Sequence, residues 1–177
     1  DSMPIQVKTL PNPSFTASPV NGCVPVASQF TSTGGVAGDT YAWTFGNGAS
    51  STAGPNASNI YSTTGCFDVS LTITSNGCAN TYTVPSAVCS SLPAVANFDV
   101  TPKEADVSNP NFSFINNSQN ANSYVWDFGN GGTSTSTNPI YTYNQVLGTF
   151  VVTLIANNAA DCPDTIRKTI FITEDLL

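Results

Sequence analysis

The sequence predicts an all-β protein made of two tandem immunoglobulin-like β-sandwiches. Three observations predict it: a β-rich composition, an internal repeat, and short alternating segments separated by turn residues. Thr, Val, Gly, Pro and Asn are abundant, whereas the strong helix formers Glu, Lys and Met are scarce. The 177 residues are 40% hydrophobic and only 8% charged, so the chain can bury a core and lacks the composition of a disordered segment.

The internal repeat is the clearest signal in the chain. YAWTFGNG at 41–48 returns as YVWDFGNG at 124–131, which is 83 residues later. The same offset relates GCFDVSLTI at 65–73 to GTFVVTLIA at 148–156. Separated blocks that share one offset indicate a tandem duplication.

Each repeat consists of short strands. In FDVSLTI at 67–73 apolar residues alternate with polar ones, which is the period-two pattern of a half-buried strand. Further strands are predicted for VASQF at 26–30, YAWTF at 41–45 and NTYTV at 80–84. About seven strands in roughly 80 residues, with a tryptophan on the third, describe an immunoglobulin-like sandwich. We assign the first sandwich to residues 12–92 and the second to residues 93–177.

The first residues of the chain are treated separately. DSMPIQVKTL at 1–10 aligns with DCPDTIRKTI at 161–170, the last predicted strand of the second repeat. We therefore expect residues 1–11 to be the leftover last strand of a preceding repeat, or a linker. The chain is then a piece of a longer array.

Charge and composition exclude several classes of function. The formal net charge is −7, and the four basic residues are too few and too scattered to form a nucleic-acid-binding or membrane-binding surface. No apolar run approaches the ~20 residues needed to span a bilayer. There is no histidine, which removes Ser-His and Cys-His catalysis, and the few acids lie mostly in turns and termini. We predict that the protein is not an enzyme.

The stretch YVWDFGNGG at 124–132 contains Asp-Phe-Gly and a glycine cluster, but it predicts a turn rather than a catalytic or phosphate-binding loop. The segment after Gly132, TSTSTNPIYTY, is not a helix opening, and no catalytic loop precedes the stretch. Asn-Gly pairs favour two-residue hairpin turns, since both residues tolerate positive φ. The predicted structural motif comprises Trp43, Phe45, Gly46, Asn47 and Gly48 in the first repeat, and Trp126, Asp127, Phe128, Gly129, Asn130 and Gly131 in the second.

The segment from Tyr124 to Cys162 resembles a polycystic-kidney-disease (PKD) repeat, whose hallmark is Trp-Asp-Phe-Gly-Asp-Gly followed by Gly-x-Tyr-x-Val-x-Leu. Both repeats carry it, with Asn47 and Asn130 in place of the second Asp and Thr44 in place of the first. The resemblance implies immunoglobulin-like sandwiches on large extracellular proteins, used as spacer, adhesion or protein-contact modules. The Thr/Asn-rich composition is similar to that of repeat arrays in surface proteins of gliding Bacteroidetes exported by type IX secretion.

The motif side chains have structural and functional interpretations. We expect Trp43 and Trp126 to pack in the core beside Phe67 and Phe150, with an exposed carbohydrate-stacking tryptophan as the alternative. Asp127 is expected to accept hydrogen bonds from turn amides. Some members of the family bind calcium, which would make Asp127 a ligand. Calcium prefers several carboxylates, however, so we predict no cofactor.

The five cysteines favour a disulfide-permissive, extracytoplasmic location. In a seven-strand sandwich Cys23 and Cys66 would open strands at the same end, so we predict a Cys23–Cys66 bridge between the sheets. Cys89, on the strand next to Cys66, competes for it. A Cys78–Cys89 bridge is disfavoured, since an extended strand would separate the two residues by far more than ~7 Å.

We expect a non-enzymatic structural or interaction segment of a larger cell-surface or secreted repeat protein, with other domains or identical copies as partners. Strand addition by residues 1–11 would let copies form filaments. The alternative is a polymer- or carbohydrate-binding accessory module of a secreted hydrolase. It requires exposed aromatic residues, and the candidates are Tyr61, Tyr82, Tyr141 and Tyr143, of which alternation places Tyr61 and Tyr143 at the sheet margin. Asp-Ser/Thr-aliphatic sequences mark Ser2 and Thr165 as possible O-glycosylation sites.

Overall fold

The computed structural model describes residues 9–174, and these contain strands and turns but no helix. The chain divides into two compact units, Asp1–Ser91 and Leu92–Leu177. The expectation for residues 1–11 rests mainly on residues 1–8, which lie outside the described part of the chain.

The first unit has eight strands, rather than about seven, because short pieces form at both ends of the larger sheet. The strands are β1 (Phe15–Ser18), β2 (Asn21–Cys23), β3 (Val26–Ser32), β4 (Thr40–Thr44), β5 (Ser50–Ser51), β6 (Asn56–Tyr61), β7 (Gly65–Ser75) and β8 (Cys78–Ser91).

The second unit repeats this series strand for strand. Its strands are β9 (Phe98–Thr101), β10 (Glu104–Asp106), β11 (Asn111–Asn116), β12 (Ser123–Asp127), β13 (Thr133–Ser134), β14 (Ile140–Thr142), β15 (Gly148–Asn157) and β16 (Asp164–Thr173).

Each unit is a sandwich of a three-stranded and a five-stranded sheet. The orders are β1-β3-β6 and β2-β8-β7-β4-β5 in the first unit, and β9-β11-β14 and β10-β16-β15-β12-β13 in the second. The chain enters in the smaller sheet and then crosses to the larger one, where β2 and β10 run parallel to the last strand. The cis peptides Ser18–Pro19 and Thr101–Pro102 lie at this crossing. The all-β, tandem-sandwich prediction is confirmed.

Each unit buries its own core between its two sheets. Inward side chains of the long strands alternate with exposed polar ones, as in β3, where Val26, Ser28 and Phe30 point inward. Both cores are centred on a tryptophan and several phenylalanines. The largest fully buried side chains are Trp43, Trp126, Tyr61, Tyr143, Phe30, Phe45, Phe98, Phe112, Phe114, Phe128, Leu71 and Ile73.

The two units differ in the last hairpin. In the first unit the pairing of β7 with β8 shifts between Phe67 and Val69, which marks a β-bulge. Ser86 has a positive φ of 50° there, and its backbone N–H donates to Asp68 Oδ1 at 2.8 Å. The pairing of β15 with β16 is continuous.

Candidate functional site

The repeated FGNG turn lies directly after β4 in the first unit and after β12 in the second. In the first unit Phe45 N–H donates to the Ala49 carbonyl at 3.1 Å, which closes a loop over Gly46, Asn47 and Gly48. In the second unit Phe128 N–H donates to Gly132 in the same way at 3.0 Å. The sequence therefore predicted a turn correctly.

The conformation of this turn differs from the predicted two-residue hairpin. Positive φ falls on the glycines that flank each asparagine, not on the asparagines themselves. Instead, Asn47 Oδ1 accepts the N–H of Ala49 at 3.2 Å, and Asn130 Oδ1 accepts the N–H of Gly132 at 3.1 Å. The asparagine holds the loop by its side chain, which is the short-range bond that favours this residue in turns.

The first glycine of each turn lies against the neighbouring strand. Gly46 has a φ of 75°, and a Cβ added there would come within 2.5 Å of the Asp68 carbonyl oxygen. Gly129 has a φ of 77°, and a Cβ there would come within 2.7 Å of the Val151 carbonyl oxygen. Glycine is required at both positions for two reasons: the left-handed backbone and the close approach of another strand.

The motif tryptophans are core residues, as predicted, and their exposed fractions of 1% and 0% leave no ring face for a ligand. Trp43 Nε1–H donates to the Gly54 carbonyl and Trp126 Nε1–H to the Ser136 carbonyl, both at 2.9 Å. Their aromatic neighbours differ from the expected Phe67 and Phe150. The ring contacts are with Phe15, Phe30 and Phe45 around Trp43, and with Phe98 and Phe114 around Trp126.

Asp127 accepts the backbone N–H of Gly129 at 2.8 Å, so the predicted turn bond is confirmed. Thr44 occupies this position in the first unit. Within residues 9–174, no three His, Cys, Asp or Glu side chains cluster as metal ligands would. The geometry around Asp127 is that of a capped turn.

The comparisons agree with this structural use of the motif. A family model described as a PKD domain matches the chain twice, over residues 11–88 and 92–173. The chain belongs to the PKD domain family. PKD domains are commonly extracellular structural or interaction modules and are generally non-catalytic.

Two PKD domains of known structure are each similar to about half of this chain. The PKD1 domain of Vibrio cholerae metalloprotease PrtV is 32% identical, with a TM-score of 0.40, and the match covers 46% of this chain and 98% of that one. The PKD1 domain of Vibrio anguillarum Epp is 26% identical, with a TM-score of 0.41, over 47% and 96%. Murine CEACAM1b, 12% identical with a TM-score of 0.54 over 93% and 100%, shares the fold alone. No curated protein gives a significant match.

Each PKD core contains one buried tyrosine, Tyr61 in the first unit and Tyr143 in the second. Tyr143 O–H donates to the carbonyl of Phe128 at 2.7 Å, within the buried core. The Tyr61 hydroxyl in the first unit is buried beside the Asn59 side chain, and the geometry between the two falls short of a full hydrogen bond. Burial raises the pKa of both phenols, so both remain protonated near neutral pH.

The two tyrosines should respond differently to loss of the hydroxyl. Tyr143→Phe leaves the buried Phe128 carbonyl unpaired, and we expect the free energy of unfolding of the second PKD unit to fall by about 1–3 kcal/mol. Tyr61→Phe removes a buried hydroxyl that makes no full hydrogen bond, so the first unit should lose less stability than the second. Urea denaturation of each variant checks this. Equal losses in both units would contradict the assigned bonding.

The predicted Cys23–Cys66 disulfide is wrong. Cys66 is bonded to Cys89, with a Cα–Cα distance of 4.1 Å. The prediction placed Cys23 in the opposite sheet, but β2 belongs to the same sheet and β8 lies between β2 and β7. Two strand spacings amount to roughly 9–10 Å, which exceeds the limit for a bridge, whereas Cys66 and Cys89 are directly opposite each other. Cys78, at the start of β8, is a half-buried free thiol.

The Cys66→Ala/Cys89→Ala variant should lose about 3 kcal/mol of stability in the first PKD unit only. The bridge closes a loop with a sequence separation of 23, and the chain-entropy model gives that magnitude. The equivalent positions of the second unit, Thr149 and Phe171, are paired without a bridge. Urea denaturation in a Trp126→Phe background reports the first unit alone, and in a Trp43→Phe background the second. A loss shared equally by both units would contradict the prediction.

Shallow depressions surround Asp39, at the β3–β4 loop of the first PKD unit. Three of them, with volumes of about 350 to 500 Å³, share Asp39, and two are walled by Tyr41. Ser75 and the N–H of Val36 hydrogen-bond the Asp39 carboxylate and lower its pKa. The corresponding end of the second unit contains a small cluster of Ala94, Ala96 and Ala156. Sequence reasoning missed this feature, since a loop of small residues carries no binding motif.

The candidate aromatic residues are mostly buried. Tyr61 and Tyr143 are core residues, with exposed fractions of 0% and 2%, rather than members of a sheet face. Tyr141 is half-buried and stacks on Phe128 at 4.0 Å between ring centroids. Only Tyr82 among the four candidates is exposed, at 44%. These tyrosines do not form the aromatic row that a polymer-binding face would need.

One of the two predicted glycosylation sites lies within the described residues. Thr165 lies on β16 with an exposed side chain, and its N–H donates to Asp164 Oδ1 at 2.8 Å. Ser2 lies outside the described residues. Over residues 9–174 the fold contains no helix long and apolar enough to cross a membrane.

Proposed function

We propose that this chain is a non-enzymatic structural and interaction segment of a larger extracellular protein on a bacterial surface. The observation that carries the proposal is that the repeated motif forms a turn and packs the core in both units. Trp126 Nε1, Asp127 Oδ1 and Asn130 Oδ1 all make hydrogen bonds within the fold. The Cys66–Cys89 bridge fits an oxidising compartment.

The similarity in style to arrays of gliding Bacteroidetes extends this proposal to proteins exported by type IX secretion. Antibody against the fragment should label intact cells of the producing organism, and external protease should remove the signal. A signal protected from protease in intact cells, with Cys66 and Cys89 reduced, would contradict the surface role. Loss of adhesion or gliding after deletion of the two units would identify the process they serve.

Assembly by strand addition is the specific form that we favour for the interaction role. Residues 1–11 resemble a last strand in sequence, and an extended segment can join an open sheet edge. Removal of residues 1–11 should then abolish oligomers of the purified protein in sedimentation experiments. Unchanged oligomers would exclude residues 1–11 as the added strand and would leave the proposed surface role unaffected.

Polymer binding remains the second candidate, and the depressions around Asp39 favour it. They combine a carboxylate, hydroxyls and the Tyr41 ring, which suits an uncharged, hydroxyl-rich polymer. Pull-down on chitin and cellulose should retain the wild type and lose Tyr41→Ala. Tyr124→Ala, the equivalent change in the second unit, is the matched control. No retention of the wild type on any polymer would end this candidate.

Covalent sugar is proposed at Thr165 and Ser2. Mass spectrometry of the native protein should find hexose on peptides containing these residues, and Thr165→Ala should remove it from the former. Unmodified masses for both peptides would refute the idea.

A further inference from the structure

We propose that the outer face of the five-stranded sheet in the second unit packs against the same face of a second copy of this chain. The outer face is formed mainly by the side chains of β12, β15 and β16 that point away from the core. This inference goes beyond the proposed surface role and does not depend on it. It also uses a different surface from the strand donor at residues 1–11.

Four large apolar side chains are exposed on the outer face. They are Val125, Val151, Ile155 and Phe171, and their exposed fractions lie between 38% and 48%. Val125 pairs directly with Ile155 across β12 and β15. Val151 lies on the same side of β15 as Ile155, because alternate residues of a strand share a face. Apolar side chains grouped on a surface in this way mark a site of contact with a partner.

The same face of the first unit is polar, although the fold is the same. The 83-residue offset equates Val125 and Ile155 with Ala42 and Thr72. Thr72 Oγ1 lies 2.7 Å from Thr81 Oγ1 on the neighbouring strand, so the hydroxyls there are paired with each other. The sandwich therefore does not require apolar residues at these positions. Their presence in the second unit indicates a contact that this unit makes.

One row across the outer face carries two opposite charges. Asp127 on β12 pairs with Thr153 on β15, and Thr153 pairs with Arg167 on β16. The two charged side chains are exposed and lie on either side of β15, two strand spacings or roughly 9–10 Å apart. The turn bond to Gly129 uses one carboxylate oxygen of Asp127, and Arg167 forms no ion pair with another residue in the range 9–174. Both charges are therefore available to a partner.

The arrangement of these charges selects a second copy as the occupant and sets its orientation. A two-fold axis parallel to β15 exchanges the two sides of the face, so Asp127 of each copy lies over Arg167 of the other. The same axis sets Ile155 against Ile155 and Val151 against Val151. A two-fold axis across the strands, through the same row, would set Asp127 against Asp127, which like-charge repulsion disfavours. The axis along β15 satisfies the charges and the apolar side chains together.

The rest of the sheet is compatible with this axis. Glu104 on β10 lies beside Phe171 at the margin of the face, and the axis sets β10 opposite β13 of the other copy, which has no charge. Aligned sheets pack about 10 Å apart, a gap that Arg and Asp side chains span. Covering a face five strands wide and about 20 Å long buries about 1,000 Å² in total, which predicts a weak dimer.

Sedimentation equilibrium on the full chain, at up to about 1 mM protein, tests the proposal. Ile155→Lys removes an apolar contact and brings two lysines together, so it should weaken the dimer at least about tenfold. Thr72→Lys, the same change at the equivalent position of the first unit, is the matched control and should leave the dimer unchanged. Ile155 is exposed, so near-ultraviolet circular dichroism should show the variant folded. A monomeric wild type, or a dimer that Ile155→Lys does not weaken, would overturn the proposal.

Exchange of the two charges tests the orientation. Arg167→Glu and Asp127→Lys each bring like charges together in a dimer of one variant, and each should weaken association about tenfold. Mixing the two variants should restore it, because the mixed dimer contains one native ion pair and one reversed ion pair. The turn does not need a carboxylate to form, since Thr44 holds this position in the first unit. No gain on mixing would overturn the proposed pairing.

Crosslinking at the axis distinguishes the outer face from strand addition. Thr153 lies in the middle of the face, so a bismaleimide of about 10 Å span should join Thr153→Cys chains into a dimer. A Cys78→Ser background removes the free thiol. Ser70→Cys in the same background is the matched control in the first unit and should stay unlinked. Removal of residues 1–11 should leave the Thr153→Cys crosslink unchanged. Equal crosslinking of both variants, or a crosslink that is lost with residues 1–11, would contradict the two-fold contact.

Discussion

Gly129→Ala lowers the free energy of unfolding of the second PKD unit by about 2–5 kcal/mol, whereas Gly131→Ala, two residues away, lowers it by about 1–2 kcal/mol. Both glycines have positive φ, at 77° and 89°, so both substitutions incur the left-handed backbone cost of about 1–2 kcal/mol. Only at Gly129 does the new Cβ also meet another strand.

The additional cost at Gly129 comes from the backbone of β15. The Cβ would lie 2.7 Å from the Val151 carbonyl oxygen and 3.1 Å from the Val151 nitrogen, and main-chain atoms in a sheet cannot rotate away. Relieving that contact requires the turn or β15 to shift, and overpacking of this kind costs about 1–3 kcal/mol. Nothing lies within 4 Å of a Cβ at Gly131, so that variant isolates the backbone term.

Urea denaturation followed by Trp126 fluorescence measures the difference. A Trp43→Phe background removes the signal of the first unit, so the transition reports the second unit alone. The same pair exists in the first unit as Gly46 and Gly48, with contacts of 2.5 Å and none, and should reproduce the order in a Trp126→Phe background, which leaves the signal of Trp43. Equal losses at Gly129 and Gly131 would show that the close approach to β15 does not constrain the turn.

The repeat, the all-β class and the core tryptophans could be predicted from sequence because they depend on local periodicity. FDVSLTI reads as a half-buried strand whatever lies around it, and β7 has Val69, Leu71 and Ile73 buried as the alternation requires. The apolar residues at every second position of such a strand all point into the core. The motif Asp127 likewise forms a bond within two residues, which local sequence can specify.

The Asn-Gly turns show that local sequence alone does not determine the conformation of a turn. Asn76-Gly77 is a two-residue hairpin with both φ values positive, at 50° and 84°, and it joins β7 to β8. The same dipeptide at 47–48 forms a different loop, because the preceding Gly46 must pass against β7. That requirement comes from another strand and cannot be read from the dipeptide.

The preferred partner of Cys66 was wrong for a related reason, although Cys89 had been named as the competitor. Its prediction needed the sheet membership of β2, which changes sheets after Pro19, and the register of β8, which is shifted by the bulge at Asp68. Neither is encoded in the spacing of Cys23, Cys66 and Cys89. The full burial of Tyr61 and Tyr143 was missed as well, because alternation placed them at the sheet margin, whereas both lie in the core.

Trp126→Ala should be the most damaging single change in the second PKD unit, with a loss of about 3–5 kcal/mol. The side chain is fully buried, and its ring lies between Phe98 at 5.1 Å and Phe114 at 5.6 Å, so both sheets lose their central contact. The Ser136 carbonyl also loses its donor. Small domains have total stabilities of about 5–15 kcal/mol, so the unit would be close to unfolding at 25 °C.

Trp126→Phe separates the contribution of ring packing from that of the hydrogen bond to the Ser136 carbonyl. Phenylalanine keeps an aromatic ring in the core and removes the Nε1–H donor, so its loss should be smaller than that of the alanine variant by several-fold in the equilibrium constant. Calorimetry or urea denaturation followed by near-ultraviolet circular dichroism measures the stability of the variants in the whole chain. Trp43→Ala should destabilise the first unit to a similar degree, because Trp43 Nε1–H makes the matching bond to the Gly54 carbonyl.

The same measurement decides between the two meanings of the tryptophan. A residue that stacks on a sugar from an exposed sheet face could be replaced by alanine with a stability change within ~0.5 kcal/mol, and only ligand binding would suffer. A residue that holds the two sheets together must lose stability first, with or without a ligand. If Trp126→Ala unfolds at the wild-type urea concentration, the assignment of the motif to architecture is wrong, and the polymer-binding candidate gains the aromatic residue that the exposed surface does not supply.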